Sequence, residues 1–188
     1  MATDIFMIHL VILLCMFFMY ISNEFSQMEL RQDNEHFRRI KILIEFHDQI
    51  LGMSATVNEI FSISVLLNLA LSSLNLCMLG FEVVDGVSLA EFLRHAFLLF
   101  LQVLQIFNVC YMGMRLSECS TSISISAFNH LIFSRNLAYQ KHLLSIIQRS
   151  QRPAILNAPL LSVVSLETLR KVLSIAYQFF TVLNSIKN

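Results

Sequence analysis

Glu45, His47 and Asp48 place two carboxylates and an imidazole within four residues, a set that on paper could hold a metal ion. In a helix, 45 and 48 lie one turn apart while 47 points to another side, and no H-E-x-x-H pattern accompanies them. The reading is a solvated helix face. His36, His95, His130 and His142 are isolated, near predicted membrane borders. The cysteines at 15, 77, 110 and 119 show neither C-x-x-C spacing nor a His partner, and three sit in apolar runs, so neither a zinc site nor a disulfide framework is expected. With only four glycines there is no phosphate-binding loop and no nucleophile elbow. No catalytic constellation and no cofactor is therefore expected. What remains is quieter chemistry. Ser174, Gln178, Thr181 and Ser185 interrupt an otherwise apolar stretch, where neutral polar groups either hydrogen-bond neighbouring helices or face water.

The elements that carry these groups are apolar. AVILMFWYC residues make up 56% of the 188, and DEKR only 14% against about 25% in a typical soluble domain. Mean hydropathy is +0.66, and the charges are gathered in blocks between long uncharged runs. A soluble enzyme, a disordered chain and a secreted disulfide scaffold do not fit. Thirteen Lys+Arg balance thirteen Asp+Glu, so no basic field exists to attract nucleic acid.

Four segments are expected to span a bilayer. Residues 5–21 form a short apolar run broken by His9, with no basic n-region or cleavage site that would make it a signal peptide. Residues 60–81 hold no charge and span comfortably, with Ser62, Ser64, Asn68, Ser72, Ser73 and Asn75 expected to face other helices. Residues 96–114 are preceded by the capping box Ser88-Leu-Ala-Glu91, predicting a helix from Leu89. Gly80 and Asp85-Gly86 mark the turn of an antiparallel pair. The fourth segment, 160–186, opens with Glu167, Arg170 and Lys171 and becomes uncharged only after them.

Two longer connections carry nine of the thirteen bases, whereas 82–95 carries one. The positive-inside rule places 22–59 and 115–153 in the cytoplasm and 82–95 outside. An external N-terminus without a signal peptide suggests upstream helices. Phe37, Ile40, Ile44, Ile50 and Leu51 predict an amphipathic helix within 22–59, and Leu143, Leu144, Ile146 and Ile147 a basic one before Pro153. The fold class expected is all-α: a polytopic transmembrane bundle of four spans with long cytoplasmic helical extensions, part of a seven-span fold.

The last third resembles a known family. Gln148-Arg149-Ser150-Gln151-Arg152-Pro153, then Ser165-Leu166-Glu167-Thr168, then the run Val172 to Leu183 with Tyr177, Phe179, Phe180 and Thr181 resembles the C-terminal signature of insect odorant receptors. Asn58 to Ser62 is similar to the opening of that family's fifth helix, and Phe128 to Phe133 to an aromatic element of its cytoplasmic part. Ile132 stands where a tryptophan is usual, Ile63 where a proline is, and Ser174 where a lysine is. Family members are about twice this length, so the chain is expected to be a truncated form.

The resemblance implies a subunit of an odorant-gated, non-selective cation channel. It implies a hetero-tetramer with an odorant co-receptor, in the plasma membrane of olfactory sensory neurons. The final helix would line the pore through Gln178, Val182 and Ser185, with the gate at Val182 and Ile186. An assembly anchor would use Phe128, Phe133, Leu144, Ile147 and Pro153. Phe97, Phe100, Leu101 and Leu104, within about two turns of the third span, are candidates for a small volatile ligand. The alternatives are a non-channel membrane adaptor with a basic interaction helix, and a gustatory-type receptor of the same superfamily.

Overall fold

A computed structural model of the chain describes residues 2–27, 34–84, 88–133, 137–159 and 162–187; side chains at 2, 34, 36, 83, 84, 130, 132, 133, 137–139, 162, 183, 184, 186 and 187 are outside that description. Its elements are α1 (Ala2–Gln27), α2 (Asn34–Val84), α3 (Leu89–Phe133), α4 (Leu137–Ser150), β1 (Asn157–Ala158), β2 (Ser162–Val163) and α5 (Leu166–Lys187). They form two compact units, Met1–Glu59 with Met114–Leu156, and Ile60–Gly113 with Asn157–Asn188.

The long helices follow from apolar residues spaced three and four apart, which line one face of a 3.6-residue helix. On α1 the buried face is Met7, Val11, Leu14, Phe18, Ile21 and Phe25. In the first unit α2 buries Ile40, Leu43, His47, Ile50 and Ser54, and α3 buries Leu116, Cys119, Ile123 and Ala127. Edge-on ring contacts join α1 to α2: Phe17–Phe46 at 5.9 Å, Tyr20–Phe46 at 6.5 Å and Phe18–His47 at 6.1 Å. Ser22 and Ser126 hydroxyls meet at 2.8 Å, linking α1 to α3.

In the second unit α2 and α3 are antiparallel and share a polar ladder. Gln102 Nε2 donates to Ser72 Oγ at 2.7 Å, and Gln105 Nε2 donates to Asn68 Oδ1 at 3.4 Å. Asn68 and Ser72 thus face another helix as expected, whereas Ser64 and Asn75 are exposed. Near the connection, His95 Nε2 lies 3.3 Å from Glu82 Oε2 and 3.2 Å from an Arg94 guanidinium nitrogen, so His95 is not isolated. Glu91 accepts from the Ser88 backbone N–H at 3.2 Å and starts α3 at Leu89, as the capping box predicts.

Three helices among the described residues are long and apolar enough to cross a membrane, lying within Thr3–Gln27, Phe37–Glu82 and Leu89–Asn129. Their outward faces are greasy: Ile60, Ile63, Leu67, Leu71, Leu74 and Met78 form a continuous exposed stripe on α2. Water would penalise such a stripe and lipid would not. The chain is a membrane protein. The final helix α5 is not among the three, because Glu167, Arg170 and Lys171 occupy its first turns.

The structure corrects two expectations. Gly80 makes no turn; it lies inside α2, which continues to Val84, and a Cβ there would meet the Phe180 ring in ordinary contact at 3.5 Å. The predicted Asp85-Gly86 turn lies outside the described residues. The final helix does not begin at 160. Beforehand, β1 and β2 pair antiparallel, Asn157 opposite Val163 and Ala158 opposite Ser162, with Pro159 directly after β1. A proline has no N–H for either ladder or helix, so an extended hairpin accommodates it where a helix would not. Behind this hairpin α3 passes so close that a Cβ on buried Gly113 would run into the Val164 carbonyl, with its carbon 3.2 Å away.

Candidate functional site

The helix bearing the candidate pore residues is held at its start by a cap. Ser165 precedes α5, and its carbonyl accepts from the Thr168 N–H at 3.0 Å. Thr168 Oγ1 accepts from the Ser165 N–H at 3.4 Å and donates to the Val163 carbonyl at 2.8 Å. Buried Thr168 therefore does the work of the glutamate in a capping box while fastening α5 to β2. The Ser165-Leu-Glu-Thr168 element could have been read this way from its S-x-x-T spacing alone.

Beyond the cap, α5 packs through Thr168, Val172 and Ala176, which are buried, and Leu169 and Phe180, which are half-buried. Ser174, Gln178, Thr181 and Ser185 project from the opposite side at 100° per residue, and all are exposed. Val182 flanks them with 56% of its surface free. The Thr181 hydroxyl donates to its own helix at the Gln178 carbonyl, 2.8 Å away, and Gln178 bonds no other element among the described residues. Among the described residues the uncharged polar stripe is thus not used to bond α5 to another element. For Ile186 only the backbone, within α5, is described.

The candidate ligand residues Phe97, Phe100, Leu101 and Leu104 share one face of α3 and all four are exposed. The Gln102 and Gln105 ladder lies to one side of them, Gln105 one turn beyond Leu101. Those two glutamines were not singled out in the sequence. Their signal was an amide at one-turn spacing in an apolar run.

The candidate anchor residues divide. On α4, Leu143 and Ile146 are buried, Ile147 is half-buried and Leu144 is 57% exposed, so the four-residue apolar stripe splits between the chain's own core and its surface. Phe128 and Pro153 are exposed, and the Phe133 side chain is outside the described residues. The helix stops at Ser150, ahead of Pro153, and Ala154 N–H donates to buried Ser120 Oγ at 3.0 Å, tying the following segment to α3. Arg149 Nε meets Asp48 Oδ1 at 3.3 Å, joining α4 to α2.

The same contact disposes of the trio at 45–48. Glu45 pairs with Lys41 at 4.0 Å and Asp48 with Arg149, while His47 is fully buried rather than on a solvated face. Among the described residues no group of three His, Cys, Asp or Glu could hold a metal ion. The four cysteines are free thiols, three of them buried.

The family model described as 7tm Odorant receptor matches residues 1–177. Odorant receptor 67c of Drosophila melanogaster is 30% identical over 187 residues, covering 98% of this chain and 46% of that protein. Odorant receptor 85b of the same organism is 29% identical, covering 98% and 47%. The chain therefore spans just under half the length of these curated relatives, which are receptors and not enzymes. Among solved structures, the insect olfactory receptor OR5 from Machilis hrabei in complex with eugenol superposes with a TM-score of 0.86 at 16% identity, covering 98% of this chain and 48% of that one. A second structure of the Machilis hrabei receptor OR5 superposes with a TM-score of 0.83 at 17% identity, covering 97% of this chain and 47% of that one. The helical architecture is that of an insect olfactory receptor, and with a family model matching nearly its whole length the chain belongs to the 7tm odorant receptor family.

Proposed function

We propose that this chain forms part of an odorant receptor subunit that opens, with an odorant co-receptor, as a ligand-gated non-selective cation channel. The observation that carries the channel reading is the stripe Ser174, Gln178, Thr181 and Ser185, exposed opposite the packing face of α5 and unused by the rest of the described chain. Neutral polar groups beside an aliphatic Val182 suit a water path closed by a dewetting constriction, with Ile186 one turn further on. Membership of the odorant receptor family rather than a gustatory one, and the names of the relatives, support the same reading. The proposed site is the plasma membrane of olfactory sensory neurons, with 22–59 and 115–153 in the cytoplasm.

The ligand is proposed to be a small volatile organic molecule; the eugenol bound by the structurally similar receptor is one such. It would contact the Phe97, Phe100, Leu101 and Leu104 face of α3. Phe100 is exposed in this chain, so truncation to Ala should leave folding within about 0.5 kcal/mol. Loss of an aromatic contact of about 1.5 kcal/mol should raise the half-maximal odorant concentration roughly tenfold. Activation by an agonist of the co-receptor should be unchanged. Equal losses for both stimuli in cells expressing the two subunits would reject the ligand face.

The exposed side of α4 is proposed to meet the co-receptor. Leu144→Glu places a charge where this chain itself buries nothing, so the helix should form normally. Seated in a packed interface, the unpaired carboxylate should cost about 3 kcal/mol or more and reduce co-purification by roughly a hundredfold. Undiminished co-purification would remove Leu144 from the assembly surface.

A further inference from the structure

The far end of α4 bounds a cavity that neither the pore nor the odorant reading uses. It measures about 360 Å³ and lies within the first unit, with His47 and Asp48 of α2 on one side and Ser145, Ile146, Arg149 and Arg152 on the other. His47 is its most unusual wall. The ring is fully buried, yet neither Nδ1 nor Nε2 has a hydrogen-bond partner among the described residues. A buried imidazole ordinarily satisfies at least one nitrogen, because an unmade bond leaves the whole desolvation penalty standing. The ring borders the space, but its nitrogens expose no surface to it.

The charges around the space have a definite sense. Two arginines against one aspartate leave one net positive charge on the lining. Asp48 takes the Arg149 Nε at 3.3 Å, which orients the guanidinium and leaves its two terminal NH2 groups available. Arg152, held by a turn in which its N–H donates to the Arg149 carbonyl at 3.2 Å, has no ion pair among the described residues. Guanidinium forks match phosphate and carboxylate oxygens with paired hydrogen bonds. Two guanidinium groups border the space, each able to hold a pair of oxygens. A tetrahedral phosphate offers three oxygens to them, and a planar carboxylate only two.

We propose that the cavity between α2 and Arg149 of α4, bounded also by Arg152 in the turn after that helix, binds a phosphate group, either free in solution or carried on a lipid headgroup. This site is independent of the channel reading. Arg149 and Arg152 belong to the Gln148 to Pro153 element, so the proposal also gives those two bases a chemical task beyond ending a helix.

The test uses the purified chain in neutral detergent. In one arm inorganic phosphate is titrated calorimetrically, with acetate as the planar control. In the other, mixed micelles carry phosphatidylcholine with or without phosphatidylinositol phosphate, and the thermal transition is followed. Phosphate binding that weakens about tenfold or more in Arg152→Gln, with acetate binding weakly or not at all, supports the site with a soluble ligand. Stabilisation only by the phosphorylated lipid, lost in Arg152→Gln, supports it with a headgroup. Arg149→Gln should also weaken whichever ligand binds; since Arg149 pairs with Asp48 as well, exposed Arg152 carries the decision. No response in either arm overturns the proposal. So does a response that survives Arg152→Gln, or acetate binding as tightly as phosphate, the last pointing to an acidic peptide instead.

Discussion

Gly113→Ala should destabilise the helical bundle by about 3 kcal/mol, the upper end for overpacking, or more. The added methyl would enter the space of the Val164 carbonyl, which is backbone and cannot rotate aside. Relief requires moving α3 away from the segment that links β2 to α5, and so disturbs the Thr168 cap on which the final helix starts. Gly52→Ala supplies the opposite case. Nothing lies within 4 Å of a Cβ there, in the middle of exposed helical surface, so the substitution should stabilise α2 by about 0.5–1 kcal/mol through helix propensity alone. Thermal unfolding of both variants in the same detergent decides the matter. Shifts of the same sign would mean that the close approach of α3 to Val164 is not what makes residue 113 a glycine.

Current through the assembled receptor should fall steeply in Val182→Lys. A fixed charge about 5 Å from a permeating cation costs about 3 kcal/mol at an effective dielectric near 20, roughly a hundredfold in occupancy. Fewer mutant subunits per assembly would soften that figure. Val182→Cys should react with a water-soluble thiol reagent when odorant is present and much more slowly when it is absent. These two results belong together, because the exposed flank of α5 could also face lipid or a neighbouring subunit. A lipid-facing Val182 would give neither a blocked current nor state-dependent labelling. Normal surface expression with unaltered current in both variants would remove the pore role from α5 and leave the helical architecture intact.

Some of this was legible residue by residue. Met7, Val11, Leu14, Phe18, Ile21 and Phe25 are spaced three and four apart, and that spacing alone specifies a helix and its buried face. Ser88 and Glu91 located the start of α3 because capping chemistry is local. Pro153 announced the end of α4 for the same reason. Gly80 misled, because a glycine can mark a turn or sit inside a helix, and only the course of α2 on to Val84 distinguishes the two. The hairpin at 157–163 was missed because four paired residues leave almost no periodicity.

The sequence by itself determined that this is a membrane protein of long amphipathic and apolar helices, and its closing motifs carried the family. Both are properties of composition, period and local order along the chain. Which side of each helix meets another was decided only by tertiary structure. The apolar stripe of α4 reads as one surface in sequence, yet packing buries Leu143 and Ile146 and turns Leu144 outward. His47 reads as a solvated residue between two charges, yet Phe18 of α1 packs on its ring and both nitrogens lack partners among the described residues. Asp48 and Arg149 are 101 positions apart and become an ion pair only when α2 and α4 meet. Contacts of that span depend on which faces the folded helices present to one another, and helical period alone does not choose the neighbour.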